Sequence, residues 1–129
     1  MHLEGGCYCG QLRYAVDGEP MMMGQCHCRE CQYITGGSPN VFMAFPVPAL
    51  TYTKGAPKTF MREDLDGAAT REFCENCGTH TTTRPRMLPA VILKVGTLDD
   101  PSVFSPGMAI QALDKQAFHR IPEGIPVFD

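Results

Sequence analysis

The chain has 129 residues, 43% of them hydrophobic and 19% charged, with a formal charge of -3. That length suits one domain spanning 1–129, and the composition excludes the disordered and membrane classes. The 11 basic and 14 acidic residues are scattered without blocks, which leaves no electrostatic footprint for nucleic acid or anionic lipid.

The opening Met1-His2-Leu3-Glu4-Gly5-Gly6 lacks the basic and apolar regions of a signal peptide. No apolar run reaches the roughly 20 residues a membrane helix needs, so a cytoplasmic location is expected. Thirteen glycines and eleven prolines interrupt nearly every segment before a long helix could form, so the fold should be mostly β. In chain order, residues 12–16 alternate like a half-buried strand, and 41–45 reads as a deeply buried one. Weaker strand signals fall at 50–53, 70–73, 80–83 and 109–113, with a second deeply buried strand at 90–95. The consecutive Met21, Met22 and Met23 read as core filling. A short helix is expected over 29–35, ending before Gly36-Gly37. Residues 62–69 carry charged and small side chains with no sustained period and read as an exposed loop. Small antiparallel sheets pinned by metal, with short helical turns, account for this pattern.

The metal reading comes from the cysteines. Seven of them, an odd number without a secretion signal, point away from a disulfide framework and toward metal or thiol chemistry. They fall in the clusters Cys7-Tyr8-Cys9, Cys26-His27-Cys28-Arg29-Glu30-Cys31 and Cys74-Glu75-Asn76-Cys77-Gly78. Closely spaced pairs let one short loop supply two corners of the tetrahedron that zinc prefers. Cys74 and Cys77, followed by a glycine that tolerates positive φ, form a zinc knuckle. Cys7 and Cys9 can complete a closed four-thiolate structural site. Cys26, Cys28 and Cys31 are then left with no obvious fourth protein ligand, and three ligands with one exchangeable position is the pattern of catalytic zinc. Two zinc ions per chain are therefore expected.

Other readings stay open at this level. His27, His80 or His119 could close the middle cluster, or Cys7 and Cys9 could join it, and iron also suits soft thiolates. Alternation points His27 away from the metal if its segment is extended. Arg13 and Arg29 are candidates to offset the negative charge of metal-bound thiolates.

Gly6-Cys7-Tyr8-Cys9-Gly10, the middle cluster, Gly36, Phe73-Cys74-Glu75-Asn76-Cys77-Gly78-Thr79 and Val95-Gly96-Thr97-Leu98-Asp99-Asp100-Pro101 together resemble the glutathione-dependent formaldehyde-activating enzyme family, which shares its domain with centromere protein V. The resemblance runs from about Gly5 to the tail 121–128. It implies a β-tent fold with a structural zinc on Cys7, Cys9, Cys74 and Cys77 and a catalytic zinc on Cys26, Cys28 and Cys31. It also implies a carbon-sulfur lyase that condenses glutathione with formaldehyde to S-(hydroxymethyl)glutathione. An open zinc can take the thiol as its fourth ligand and hold it as thiolate. Arg29, His27, Tyr33 or a water is then the candidate donor to the aldehyde oxygen. Arg13, Arg29, Lys54 and Arg84 are charge-compatible with the carboxylates of glutathione.

The chain departs from the family pattern toward its end. Ala109-Ile110-Gln111 stands where members often carry a His-Ile-aromatic run, Phe118 where they carry Trp, and His80-Thr81-Thr82-Thr83 is unusually polar. If those positions line the pocket, glutathione itself is in question. A non-enzymatic zinc-stabilised protein-binding module on the same fold is the rival reading, since fold does not fix function. A thiol-redox or metal-buffering role is a third, because exposed thiolates oxidise readily.

Overall fold

The computed structural model describes residues 1–129. Two sheets face one another across the core. The smaller contains β1 (His2–Gly6), β2 (Arg13–Asp17) and β5 (Leu50–Lys54), three strands in the order β1-β2-β5. The larger contains β3 (Met22–Cys26), β4 (Asn40–Pro46), β6 (Lys58–Phe60), β7 (Thr70–Phe73), β8 (His80–Arg84), β9 (Ala90–Lys94) and β10 (Ala109–Ile110). Its seven strands run in the order β10-β3-β4-β9-β8-β7-β6. The one α-helix, α1 (Arg29–Thr35), leaves the end of β3 and packs on β4.

The strand period of two divides the larger sheet's residues between two apolar environments. Met43 and Phe45 of β4, with Val91 and Leu93 of β9, enter the main core and meet Tyr14, Val16 and Leu50 of the smaller sheet. Burying each of these large apolar side chains contributes about 1.5–3 kcal/mol. On the opposite face Phe42 and Ala44 pack with Cys26 and Cys31, and Ile92 and Ile110 add to that cluster. Strands buried on both faces need no polar alternation, which is why 41–45 and 90–95 read as continuous apolar runs.

The mostly β expectation holds, and the helix and the strand at 70–73 have the expected bounds. Three details differ. First, the sheets are not wholly antiparallel, because β10 joins β3 in parallel. Second, the strand expected over 109–113 stops at Ile110: Gln111 adopts a left-handed conformation with φ 55, and Ala112–Asp114 forms a 3-10 turn. Third, the methionine run is not core throughout. Met21 and Met22 are exposed, and only Met23 packs against the main core. Strands β1, β3 and β6 carry glycine, methionine or exposed residues and gave no usable periodic signal.

The polar 80–83 segment has a physical explanation. Thr81, Thr82 and Thr83 are buried. Tyr52 Oη meets Thr81 Oγ1 at 2.9 Å and donates to Glu72 Oε1 at 3.1 Å, while Thr82 also donates to Glu72. Arg84 Nε donates to the same carboxylate oxygen at 3.0 Å. The threonines serve a buried polar network instead of an apolar core.

Candidate metal centres and adjoining cleft

The cysteine sulfurs form two groups, Cys7, Cys9, Cys74 and Cys77 in one and Cys26, Cys28 and Cys31 in the other, each with all sulfurs within 4.8 Å of one another. All seven thiols are free of disulfides. The alternative in which Cys7 and Cys9 join the middle cluster is therefore not the arrangement found.

The four-sulfur group lies where two turns meet. The β1–β2 turn brings Cys7 and Cys9 together, and the β7–β8 turn brings Cys74 and Cys77. The second turn closes through the Gly78 amide on Cys74 O at 2.8 Å, with Gly78 at φ 78, a conformation that excludes most side chains. The Tyr8 amide donates to Thr79 Oγ1 at 3.1 Å and ties the turns together. Sulfur separations of 3.6 Å for Cys7–Cys9 and 3.8 Å for Cys9–Cys74 are short for unrelated thiols. They match the edge of about 3.8 Å in a tetrahedron with zinc–sulfur bonds of about 2.3 Å. Backbone and hydroxyl donors favour thiolate here. The Leu12 amide donates to Cys7 at 3.2 Å, and the Thr79 hydroxyl lies 3.2 Å from Cys77 and, with the Thr79 backbone, brings that thiol down to about 5.

The three-sulfur group is built by the junction of β3 and α1. Cys26 ends the strand, Cys28 caps the helix by accepting from the Cys31 amide at 3.3 Å, and Cys31 lies one turn into it. Gly36, at φ 85, ends the helix as expected. Hydrogen bonding with Cys28 and Cys31 holds the Cys26 thiol well below its ordinary range, while sharing with Cys26 pushes Cys31 up.

No histidine completes this cluster. His27 and His119 face each other instead, Nδ1 to Nδ1 at 2.9 Å, both fully buried. His80 stacks near Phe73, with ring centroids 5.6 Å apart. His27 thus positions the loop between two of the cysteines without belonging to the sulfur group, as its alternation suggested.

A cleft of about 550 Å³ opens between α1 and the loop 61–69, lined by helix neighbours of Cys31 and by none of the cysteines themselves. Glu30, Tyr33 and Ile34 of the helix form one wall; Phe60, Arg62, Leu65 and Arg71 stand opposite. Arg62 is engaged by Asp64 through contacts of 2.9 and 2.5 Å. Arg71 has only the Thr83 hydroxyl, at 3.2 Å, and keeps donors for a ligand. A second hollow on the other side of Tyr33 is lined by Arg29, Gln32, Gln116 and Phe118.

The cationic residues expected from sequence sit elsewhere. Arg13 forms a two-pronged pair with Asp99 at 2.8 and 2.5 Å, and Lys54 donates to Gly10 O at 3.1 Å. Arg84 belongs to Glu72. Arg29 lies over the Tyr33 ring, 5.2 Å from its centroid, and donates to Gln32. The cation that faces the three sulfurs is Lys94, which is 7% exposed. Burial pulls its ammonium down to about 8 while the sulfurs of Cys31, Cys26 and Cys28 act in the other direction. Lys94 closes an apolar run in sequence, and alternation with Val91 and Leu93 could have placed it on the cysteine face.

The sequence profile described as glutathione-dependent formaldehyde-activating enzyme matches residues 2–113. Among curated proteins none matches this chain. A crystal structure of a Rhodobacter sphaeroides protein has a similar fold, with a TM-score of 0.64 and 18% identity over 97% of this chain and 99% of that one.

Proposed function

Because the chain belongs to the glutathione-dependent formaldehyde-activating enzyme family, we propose that it is a single-domain, zinc-dependent enzyme that adds a small acidic thiol to formaldehyde or a related aldehyde. Glutathione is the thiol the family indicates, and the reaction class is carbon-sulfur lyase. Cys7, Cys9, Cys74 and Cys77 hold a structural zinc, and Cys26, Cys28 and Cys31 a catalytic one. The observation that carries this reading is the three-sulfur group with no fourth protein ligand, built at the start of the helix whose next turn lines a cleft. Zinc bound there would supply the Lewis acidity that keeps a substrate sulfur as thiolate at neutral pH.

The chain's own residues bind and orient the reactants. Arg71 offers its guanidinium to a carboxylate of the thiol, with Arg62 as a secondary contact. Phe60, Ile34 and Leu65 give the cleft apolar walls for the carbon chain of the thiol. The thiolate sulfur attacks the carbonyl carbon, the π pair moves to oxygen, and that oxygen takes one proton to give the S-hydroxymethyl product. Tyr33, which lines the cleft and is exposed, is the candidate donor at that oxygen. His27 is withdrawn from such a role by its buried bonds to His119 and Gln25. Of the three family departures, Phe118 borders the second hollow, Ala109 is buried opposite Gln25 of β3 with Gln111 turning away in a left-handed conformation, and the threonines lie mainly in the buried network.

No helix is long and apolar enough to cross a membrane. We take the cytoplasm as the site of action, in keeping with seven unpaired thiols. The test is Cys28→Ser, with turnover of glutathione and formaldehyde followed by NMR. Loss of turnover in a folded variant supports the enzyme; unchanged turnover removes the catalytic role and leaves the protein-binding module.

A further inference from the structure

Lys94 stands in β9 directly opposite Phe42 of β4. The same register places Cys26 opposite Asn40, so Lys94, Phe42 and Cys26 share the sheet face that α1 covers. The ammonium is buried and Nζ has no hydrogen-bond partner. None of the chain's ion pairs includes it. The groups that act on it as anions are Cys31, Cys26 and Cys28, with Arg71 opposing them. A buried charge with no compensating partner is costly, and a hydrophobic residue at that position would avoid the cost. A lysine kept there without a hydrogen bond suits a nearby negative charge that is spread over several atoms.

We propose that Lys94 is the counter-cation of the three-cysteine site, strengthening its hold on a divalent metal and on a fourth, anionic sulfur ligand. The inference rests on the reading that this cluster binds a metal. Three thiolates around a divalent ion carry a net charge of -1, and a substrate thiolate makes it -2. Lys94 offsets one of those charges from the same face of the sheet. It touches neither the aldehyde nor the sulfurs; it acts through its charge, and its effect grows when the fourth ligand arrives.

The test compares wild type, Lys94→Met, Lys94→Gln and Lys94→Arg as zinc-loaded proteins. A chelator series measures how readily each zinc leaves, with Cys28→Ser identifying the middle-site ion, and calorimetry measures the Kd of glutathione. Met and Gln are expected to release the middle zinc at about 10-fold lower chelator strength and to bind glutathione about 10-fold more weakly, with the other zinc unaffected and Arg restoring much of both. If Met disrupts the fold, Lys94→Gln carries the comparison. Equal retention of the middle zinc in wild type and variants, or parallel loosening of both zincs, overturns the inference. A wild-type protein that holds only one zinc overturns the underlying metal reading, and the inference with it.

Discussion

His27 and His119, distant in sequence, meet Nδ1 to Nδ1 at 2.9 Å and join the cysteine loop to the C-terminal segment. The bonding pattern assigns their protons. The Gln116 amide donates to His119 Nδ1 at 3.2 Å, so His119 carries its proton on Nε2 and donates to Gly37 O at 2.8 Å. His27 therefore donates from Nδ1 to His119, and its Nε2 accepts from Gln25 at 2.9 Å. Both rings are neutral in this arrangement. The loop that carries Cys26, Cys28 and Cys31 is thus held from behind by residues outside the sulfur group.

His119→Ala removes one ring of that pair and leaves a buried donor on His27 and a cavity. A loss of about 2–4 kcal/mol is expected in denaturant titration. Zinc retention at the middle cluster should weaken more than at the four-cysteine site, which elemental analysis after mild chelation would register.

Arg71→Met should raise KM for glutathione about 10-fold with kcat little changed, because a carboxylate contact in the cleft serves ground state and transition state alike. Steady-state kinetics with glutathione and with a thiol lacking carboxylates checks this, since the second substrate should be indifferent to the change. Equal effects on both thiols would remove Arg71 from carboxylate recognition.

The two cysteine groups should differ in what they support. Cys74→Ser breaks a link between turns more than sixty residues apart and should cost several kcal/mol of stability. Cys28→Ser should cost much less stability while abolishing turnover. Thermal melting and activity, measured on the same preparations, separate these outcomes.

Acid should destabilise the fold partly through His80. Burial, then the charges of Lys94 and Arg71, hold its imidazole below the ordinary 6.5, so it is neutral in the fold. An unfolded chain takes up that proton first, so stability is full above about pH 6.5 and declines as pH falls toward the folded-state value. His80→Phe, which keeps the stack on Phe73, should lose less melting temperature than wild type between pH 7.5 and 5.5.

The separate cysteine clusters and the helix over 29–35 were legible because local spacing governs them, whereas the joining of Cys7 and Cys9 to Cys74 and Cys77 is a pairing across the fold that spacing left open. Long apolar runs at 41–45 and 90–95 also announced themselves. Cationic partners did not, since whether Arg13 meets Asp99 or a thiolate depends on pairing across the fold. Alternation along β9 could have placed Lys94, its last residue, on the face away from Val91 and Leu93, but its significance comes from β4 and α1 lying beside it. The cleft and Arg71 depend on the loop 61–69 standing opposite α1, which no local pattern encodes. The methionine run misled because β3 exposes Met22 while burying Gly24.

The central claim is that one metal site is closed and the other open to a thiol. It is tested most directly by zinc content and zinc X-ray absorption on freshly purified protein, with and without glutathione. The account predicts two zincs per chain, with average sulfur coordination rising from between three and four to four when glutathione is added. One zinc per chain, or two whose coordination ignores glutathione, would contradict it.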